Sequence, residues 1–286
     1  MKKLKNNRTL SFIVIAFAYI VSTIIGINVY RSLEYSLWLS LLIADIFATI
    51  SIFIFSLIFT NASVYDPYWS VQPPVILIAF IVKSKVNFFG ILLIIVVLFW
   101  AIRLTLNWAY TFKNLTCQDW RYTMLKEKTG VFYPLINFIG IHLIPTVIVY
   151  LCILPGVYAI TWGFQLNYLS LIALTISISA VVLQGIADVE LHKFRKHSNG
   201  TFIRTGVWKY SRHPNYLAEI LMWWGVGLSV VFANPDMCGL IFGAIANTIL
   251  FLTVSIPMAD KKQSKKQGYL EYKKQTRMLL PIKKVI

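Results

Sequence analysis

The feature that most constrains this chain is the recurrence of apolar runs long enough to cross a lipid bilayer. A transmembrane helix needs about 20 predominantly apolar residues. The 286-residue chain is 58% hydrophobic and only 13% charged, about half the charged fraction of an ordinary soluble domain. We therefore predict an all-α, polytopic membrane helix bundle. The segments that we expect to form about eight helices lie at 10–29, 37–59, 73–82, 88–112, 135–160, 168–190, 216–232 and 237–256.

The distribution of basic residues predicts the orientation of the bundle. The net charge is +16, from 27 Lys and Arg against 11 Asp and Glu. With both termini cytosolic, 23 of the 27 fall in cytosolic segments, and only Arg31, Lys83 and Lys85 fall outside. Short cytoplasmic loops are rich in Lys and Arg, so this asymmetry favours cytosolic termini. It also argues against nucleic-acid binding, because the charges are divided among loops and not gathered in one module.

Ionisable side chains inside a membrane are costly and often functional, so their spacing is informative. On the predicted fourth helix, Arg103, Asn107 and Tyr110 stand on one face. A second face carries Gln184, Asp188, His192 and Arg195, and a third carries Asn215 and Glu219, next to His213. All three faces end on the predicted cytosolic side, which suggests a polar cavity open to the cytosol. Asp45 and His142 are isolated, and we interpret each as an interhelical hydrogen-bond partner.

The segment from His192 to Tyr216 has the composition of a nucleotide-binding loop. It holds six Lys or Arg residues, two glycines and several aromatic residues. Guanidinium groups suit phosphate oxygens and aromatic faces suit a flat base. A basic loop that contacts anionic lipid headgroups is an equally good interpretation of composition alone. The sequence contains no P-loop, no dinucleotide fingerprint after a strand and no metal-ligand spacing, so no metal is expected.

Several motifs together resemble the steroid 5-alpha-reductase-like membrane family, and most closely its DUF1295 branch. They are Tyr65–Ser70, Arg103–Asn107, Asp119–Tyr122, Ala187–Asp188 with Phe194–Arg195, Gly206–Glu219 and the tail Tyr272–Pro281. The resemblance covers roughly residues 60 to 281. It implies a catalytic membrane domain in 60–286. The apolar runs predict that residues 1–59 form N-terminal transmembrane helices, and the basic residues predict a cytosolic loop at 191–215 and a cytosolic tail at 257–286.

The resemblance implies an enzyme that uses NADPH to reduce a carbon–carbon double bond of a sterol or isoprenoid-type lipid. By motif position the cofactor would be held by Asp188, Arg195, Asn215, Tyr216 and Glu219, with Arg103, Arg212 and His213 nearby and Asn107 on the face of Arg103. Ala218 stands where the family usually has glycine, and the family's catalytic acid and tyrosine have no clear match. Asp66 and Tyr68 are the candidates for those roles.

Two other functions remain open at this point. A segment like Arg212–Tyr216 also precedes a membrane helix in isoprenylcysteine carboxyl methyltransferases, which bind S-adenosylmethionine. A non-catalytic lipid-binding membrane protein is the third possibility, supported by the missing catalytic match. We expect an integral membrane protein. Its location would be the endoplasmic reticulum in a eukaryote and the inner membrane in a bacterium. The ending Lys283–Lys284–Val–Ile resembles a dilysine retrieval signal.

Overall fold

The all-α prediction is confirmed by a computed structural model, which describes residues 2–82, 84–198 and 200–281. Lys83 and the dilysine lie outside these residues. The α-helices are α1 (Lys2–Asn6), α2 (Arg8–Ser32), α3 (Leu37–Ile58), α4 (Tyr68–Ile81), α5 (Phe88–Thr111), α6 (Trp120–Thr129), α7 (Tyr133–Ile136), α8 (Ile144–Trp162), α9 (Tyr168–His197), α10 (Pro214–Ala233), α11 (Phe242–Leu250), α12 (Ile256–Gln263) and α13 (Tyr269–Gln275).

Seven helical segments of the described chain are long and apolar enough to cross a membrane. Five of them are single helices, namely α2, α3, α5, α9 and α10. The other two are composite: Trp120–Trp162 contains a π-helical stretch at Asn137–Leu143, and Pro235–Gln263 contains one at Phe251–Ser255. Lipid-facing positions confirm the apolar surface. On α2, Ile13, Phe17, Ile20 and Ile24 are all more than half exposed along one face.

The predicted third span differs from the structure. Residues 73–81 belong to α4, which begins five residues earlier and has only 14 residues. At 1.5 Å per residue α4 is about 21 Å long, which is shorter than the hydrocarbon core of about 30 Å. The number of candidate spans is therefore seven and not eight. Orientation relative to the membrane stays a prediction from the Lys and Arg distribution.

Local sequence accounts for the beginnings of the long helices. The side chain of Asn7 accepts a hydrogen bond from the Leu10 amide at the start of α2, and Asn167 does the same for Ser170 in α9. Both are preferred N-cap residues, since they satisfy amides that lack a partner in the first turn. Pro214 stands at the first position of α10, where its missing N–H costs nothing.

The chain divides into two compact units. The first unit comprises Met1–Ile76 and Leu104–Leu154, and the second comprises Leu77–Arg103 and Pro155–Ile286. The core of the first unit is formed around Ile15, Ile52, Val64 and Leu115, all buried. The second unit contains the close pair of α9 and α10. The predicted boundary at residue 59 lies between the N-terminal helices and the segment that carries the family motifs. This domain division stays a prediction.

A glycine allows α9 and α10 to approach closely. A Cβ atom added at Gly225 would lie 2.1 Å from Ser177 Oγ and 2.6 Å from the Ala173 carbonyl oxygen. The second atom belongs to the backbone and cannot rotate away. Ser177 Oγ also donates to the Met222 carbonyl oxygen at 2.9 Å, so this contact between the two helices is polar as well as tight. Small residues are the usual means of such packing in membranes.

We predict that Gly225→Ala destabilises the protein by about 1–3 kcal/mol, because the added methyl group overpacks this contact. The control is Gly227→Ala in the same helix, where the nearest atoms to a new Cβ lie at 3.8 Å and 4.0 Å. Thermal unfolding of both variants in detergent measures the difference. Equal midpoints for the two variants would contradict the close approach of α9 to α10.

Candidate functional site

The carboxylate of Glu219 is the centre of a buried polar cluster in the second unit. It accepts hydrogen bonds from the indole Nε1 of Trp100 at 2.9 and 3.0 Å, from the indole Nε1 of Trp223 at 3.0 Å, and from Gln184 Nε2. These donors come from α5, α10 and α9. Three neutral N–H groups thus satisfy a buried carboxylate, which would otherwise carry a large desolvation cost.

One turn further along α5 and α9, Arg103 and Asp188 form an ion pair between the guanidinium Nη1 and the carboxylate. Both side chains are largely buried. Two atoms of this region have no hydrogen-bond partner among the described residues: Arg103 Nε and Gln184 Oε1. The second unit therefore offers one unused donor and one unused acceptor in a region built from polar side chains. Asn107, four residues after Arg103, is half-buried.

Within the second unit, Arg103 of the predicted α5 face contacts Asp188 of α9, and Gln184 of α9 contacts Glu219 of α10. Asn107 and Tyr110, the other residues predicted on the α5 face, belong to the first unit.

Arg195 continues the face of α9 and is exposed, close enough to Lys266 for its charge to matter. Partial burial, and then the positive charge of Arg195, lower the pKa of Lys266. The Lys266 Nζ donates to the Thr201 carbonyl oxygen at 2.8 Å. Two cations held near each other suit an anionic ligand such as a phosphate.

Arg212 and His213 contact the C-terminal part of the second unit. Arg212 Nη2 lies 3.0 Å and His213 Nε2 lies 2.9 Å from the two carboxylate oxygens of Asp260. Arg212 Nη1 also donates to the Thr276 carbonyl oxygen at 2.6 Å, and Tyr269 donates to Asp260. These contacts tie the residues before α10 to α12 and to the tail. In this arrangement both side chains are held in fixed positions.

The last two predicted cofactor residues lie in the first turn of α10. The Asn215 carbonyl oxygen accepts a bond of 3.4 Å from Gln184 Nε2, and the Asn215 side chain is half-buried. The Tyr216 ring stacks on His213 with centroids 5.3 Å apart and packs against Phe251. All cofactor residues that were predicted in α9 and α10 thus belong to the second unit. Their role as ligands stays a prediction.

The first unit contains a second polar cluster, around Tyr68. The Tyr68 hydroxyl lies close enough to the carboxyl group of Asp45 and to Thr49 to interact with both, and all three residues are buried. Gln72 Nε2 donates to Asp45 Oδ2 at 2.6 Å. Tyr65 joins the cluster through Thr146, which lies 2.9 Å from the Tyr65 hydroxyl and 3.1 Å from Thr49 Oγ1. The result is a continuous series of hydrogen-bonded side chains among apolar helices.

Asp66, the other catalytic candidate, lies beside this cluster in sequence but has its own partner. Its carboxyl Oδ1 accepts a bond of 2.7 Å from the Tyr122 hydroxyl. Burial raises the pKa of Asp66 to about 6, although the Tyr122 hydrogen bond and the Arg121 charge act in the opposite direction. Arg121 itself forms a two-point ion pair with Asp119. Asp66 therefore holds a proton at mildly acidic pH and loses it near neutrality.

Three residues of these clusters were not singled out as site residues by sequence reasoning. Asp45 is isolated in sequence, and its partners Gln72 and Tyr68 come from another helix. Asp260 follows an apolar run that gives no sign of a neighbouring Arg and His. Lys266 is one of many lysines in the tail. Among the described residues, no group of three or more His, Cys, Asp or Glu side chains could hold a metal ion.

Comparisons with known proteins give a family and two distant relatives. Residues 52–276 match the family described as "Protein of unknown function (DUF1295)". The chain is 27% identical over 165 residues to uncharacterized protein C594.04c of Schizosaccharomyces pombe. The aligned segment covers 48% of this chain and 47% of that protein. It is 40% identical over 43 residues to protein-S-isoprenylcysteine O-methyltransferase of Saccharomyces cerevisiae, 15% and 17% of the two chains.

The chain thus spans about half the length of the first relative and about a sixth of the second. No solved structure matches the chain significantly.

The shifted pKa of Asp66 predicts a specific pH dependence of stability. The folded state binds this proton more tightly than the unfolded state, whose carboxyl group has a pKa near the ordinary 3.8. Its contribution is therefore fully present below 3.8 and is lost as pH rises to about 6. We expect Asp66→Asn to remove this part of the pH dependence of the thermal midpoint, whereas Asp236→Asn, at an exposed carboxyl, should leave it unchanged. Parallel wild-type and Asp66→Asn profiles would contradict the burial of this carboxyl.

Proposed function

The chain belongs to the DUF1295 family, and we propose that it is a membrane oxidoreductase that uses NADPH to reduce a carbon–carbon double bond of a lipid. The substrate class is a sterol or an isoprenoid-type lipid with a carbonyl group conjugated to the alkene. The observation that carries this proposal is the buried hydroxyl of Tyr68, which lies beside the buried carboxyl group of Asp45.

Reduction of a conjugated alkene requires a proton donor as well as a hydride. As a hydride adds to the far carbon of the alkene, negative charge develops on the carbonyl oxygen. A tyrosine hydroxyl that donates to this oxygen stabilises the charge and supplies the proton. Tyr68 is buried, which excludes water, and the neighbouring Asp45 is itself held by a hydrogen bond from Gln72. Asp45 is accordingly a positioning residue.

The second unit contains groups that fit the cofactor. Arg195 and Lys266 provide two neighbouring cations for phosphate groups, and Gln184 Oε1 and Arg103 Nε are an unused acceptor and an unused donor for amide or hydroxyl groups. When bound, NADPH would supply the hydride. Glu219 and Asp188 contribute indirectly, because they orient Gln184 and Arg103.

The fold supports a lipid as substrate. The seven apolar helical segments present hydrocarbon-compatible surfaces, and a substrate dissolved in the bilayer reaches a membrane enzyme from the side. Apolar surroundings also strengthen the electrostatic interaction between a tyrosine and a developing oxyanion.

A second candidate function is methyl transfer from S-adenosylmethionine to a lipid-linked carboxylate. It is favoured by the 43-residue similarity to protein-S-isoprenylcysteine O-methyltransferase. The attacking group would be a carboxylate, which needs no proton donor, and the cofactor carries no phosphate. The Tyr68 cluster and the Arg195–Lys266 pair would then have no chemical role, and for this reason we favour reduction.

Cofactor binding separates the two candidates. We predict that the purified chain binds NADPH more tightly than NADH and far more tightly than S-adenosylmethionine. Arg195→Ala should cost on the order of 1.5–3 kcal/mol of NADPH binding, the range for a hydrogen bond to a charged group. Lys128→Ala, at an exposed lysine of α6, is the control and should bind normally. Calorimetry in detergent measures the affinity of the wild-type chain for the three ligands and of both variants for NADPH. Tight S-adenosylmethionine binding without NADPH binding would favour methyl transfer.

The role of Tyr68 is tested by activity. With a sterol 4-en-3-one as substrate, Tyr68→Phe should lower kcat by roughly 10²–10⁴-fold, the usual contribution of a general acid, and leave NADPH affinity unchanged. Tyr168→Phe removes an exposed hydroxyl and should behave as wild type. Product formation is followed by mass spectrometry. Full activity of Tyr68→Phe, with active wild type, would remove Tyr68 from the mechanism.

A further inference from the structure

A cavity of about 410 Å³ lies in the second unit where α12 meets the C-terminal tail. Its volume is within the usual range of ligand pockets, roughly 300–1,000 Å³. Arg212, Lys261 and Lys273 line it together with one carboxylate, Asp260. Ile256 and Pro257 form an apolar wall beside these charges. The cavity therefore combines a polar end with a surface that tolerates carbon atoms.

Among the described residues that line the cavity, the cationic side chains outnumber the carboxylates. Asp260 is the one carboxylate of this lining, and its Oδ2 lies 3.0 Å from Arg212 Nη2 and 3.3 Å from Lys273 Nζ. His213 Nε2 and the Tyr269 hydroxyl occupy the other Asp260 oxygen. Asp260 therefore has no capacity left to compensate Lys261.

Arg212 contributes a further unused group. Its side chain is 93% buried, and although Nη1 and Nη2 are bonded, Nε has no hydrogen-bond partner among the described residues. A buried guanidinium with an unpaired N–H is costly unless a ligand completes its hydrogen bonds. Because Arg212 is fixed by the Thr276 carbonyl oxygen and by Asp260, its charge is already in position.

We propose that this cavity binds a phosphate group, with Lys261, Lys273 and Arg212 as its cationic partners. Phosphate oxygens match a guanidinium and two ammonium groups, and the Ile256–Pro257 wall accommodates the organic part of the molecule. The phosphate belongs either to a phospholipid headgroup or to a soluble nucleotide cofactor. Only the second source rests on the proposed reductase function.

The first experiment uses inorganic phosphate as the probe. Thermal unfolding of the full chain in detergent is measured as phosphate replaces chloride at constant ionic strength. The double variant Lys261→Gln/Lys273→Gln should bind phosphate at least about 10-fold more weakly than wild type. The matched control is Lys265→Gln/Lys274→Gln, which removes the same charge from exposed lysines that do not line the cavity, and it should bind as wild type does.

Two further measurements identify the source of the phosphate. If it is the cofactor, the lysine pair variant loses its preference for NADPH over NADH, whereas the control pair keeps it. If it is a lipid, nanodiscs that contain phosphatidic acid stabilise wild type more than phosphatidylcholine nanodiscs do, and the lysine pair variant loses this difference.

Both results support the site. The proposal is overturned if binding of phosphate, nucleotide and phosphatidic acid is the same in the lysine pair variant and in the control pair. A chain that binds phosphate but no NADPH contradicts the reductase proposal and leaves the phosphate site intact.

Discussion

Burial of ionisable side chains without compensating water is the constraint on which this structure depends. In the hydrocarbon core each polar group must find a partner in the protein, or it costs several kcal/mol. The chain meets this requirement in two ways. Glu219 and Asp45 accept hydrogen bonds from neutral donors, which are indoles and amides. Arg103 and Asp188 satisfy each other as an ion pair.

These partnerships determine which helices pack together and which side chains are available for chemistry. The hydrogen bonds to Glu219 connect α5, α9 and α10, so the polar cluster is also a structural contact of the second unit. In the first unit, Asp45 and Tyr68 connect α3 with the start of α4. A buried tyrosine hydroxyl beside a buried carboxyl group is costly for stability, and in the proposed reaction it is the proton donor.

The sequence predicts much of this arrangement. Helical spacing places Gln184 and Asp188 on one face of α9 and Glu219 on the corresponding face of α10, because the period of an α-helix is nearly fixed. Spacing within one helix cannot identify partners from other helices. For that reason Asp45 was interpreted as an isolated residue, and the contact of Arg212 with Asp260 was not foreseen. The apolar run at 73–82 also misses the start of α4, because the helix begins at Tyr68 in a less apolar stretch that precedes the run.

The measurement that tests the central claim most directly is the fate of a labelled hydride. Membranes that contain the chain are incubated with NADPH deuterated at the nicotinamide C4 and with a sterol 4-en-3-one, and the lipids are analysed by mass spectrometry. The account predicts a product that has gained one deuterium and one hydrogen from solvent, and no such product with Tyr68→Phe. Transfer of a labelled methyl group from S-adenosylmethionine to lipid, with no deuterium incorporated from NADPH, would contradict it.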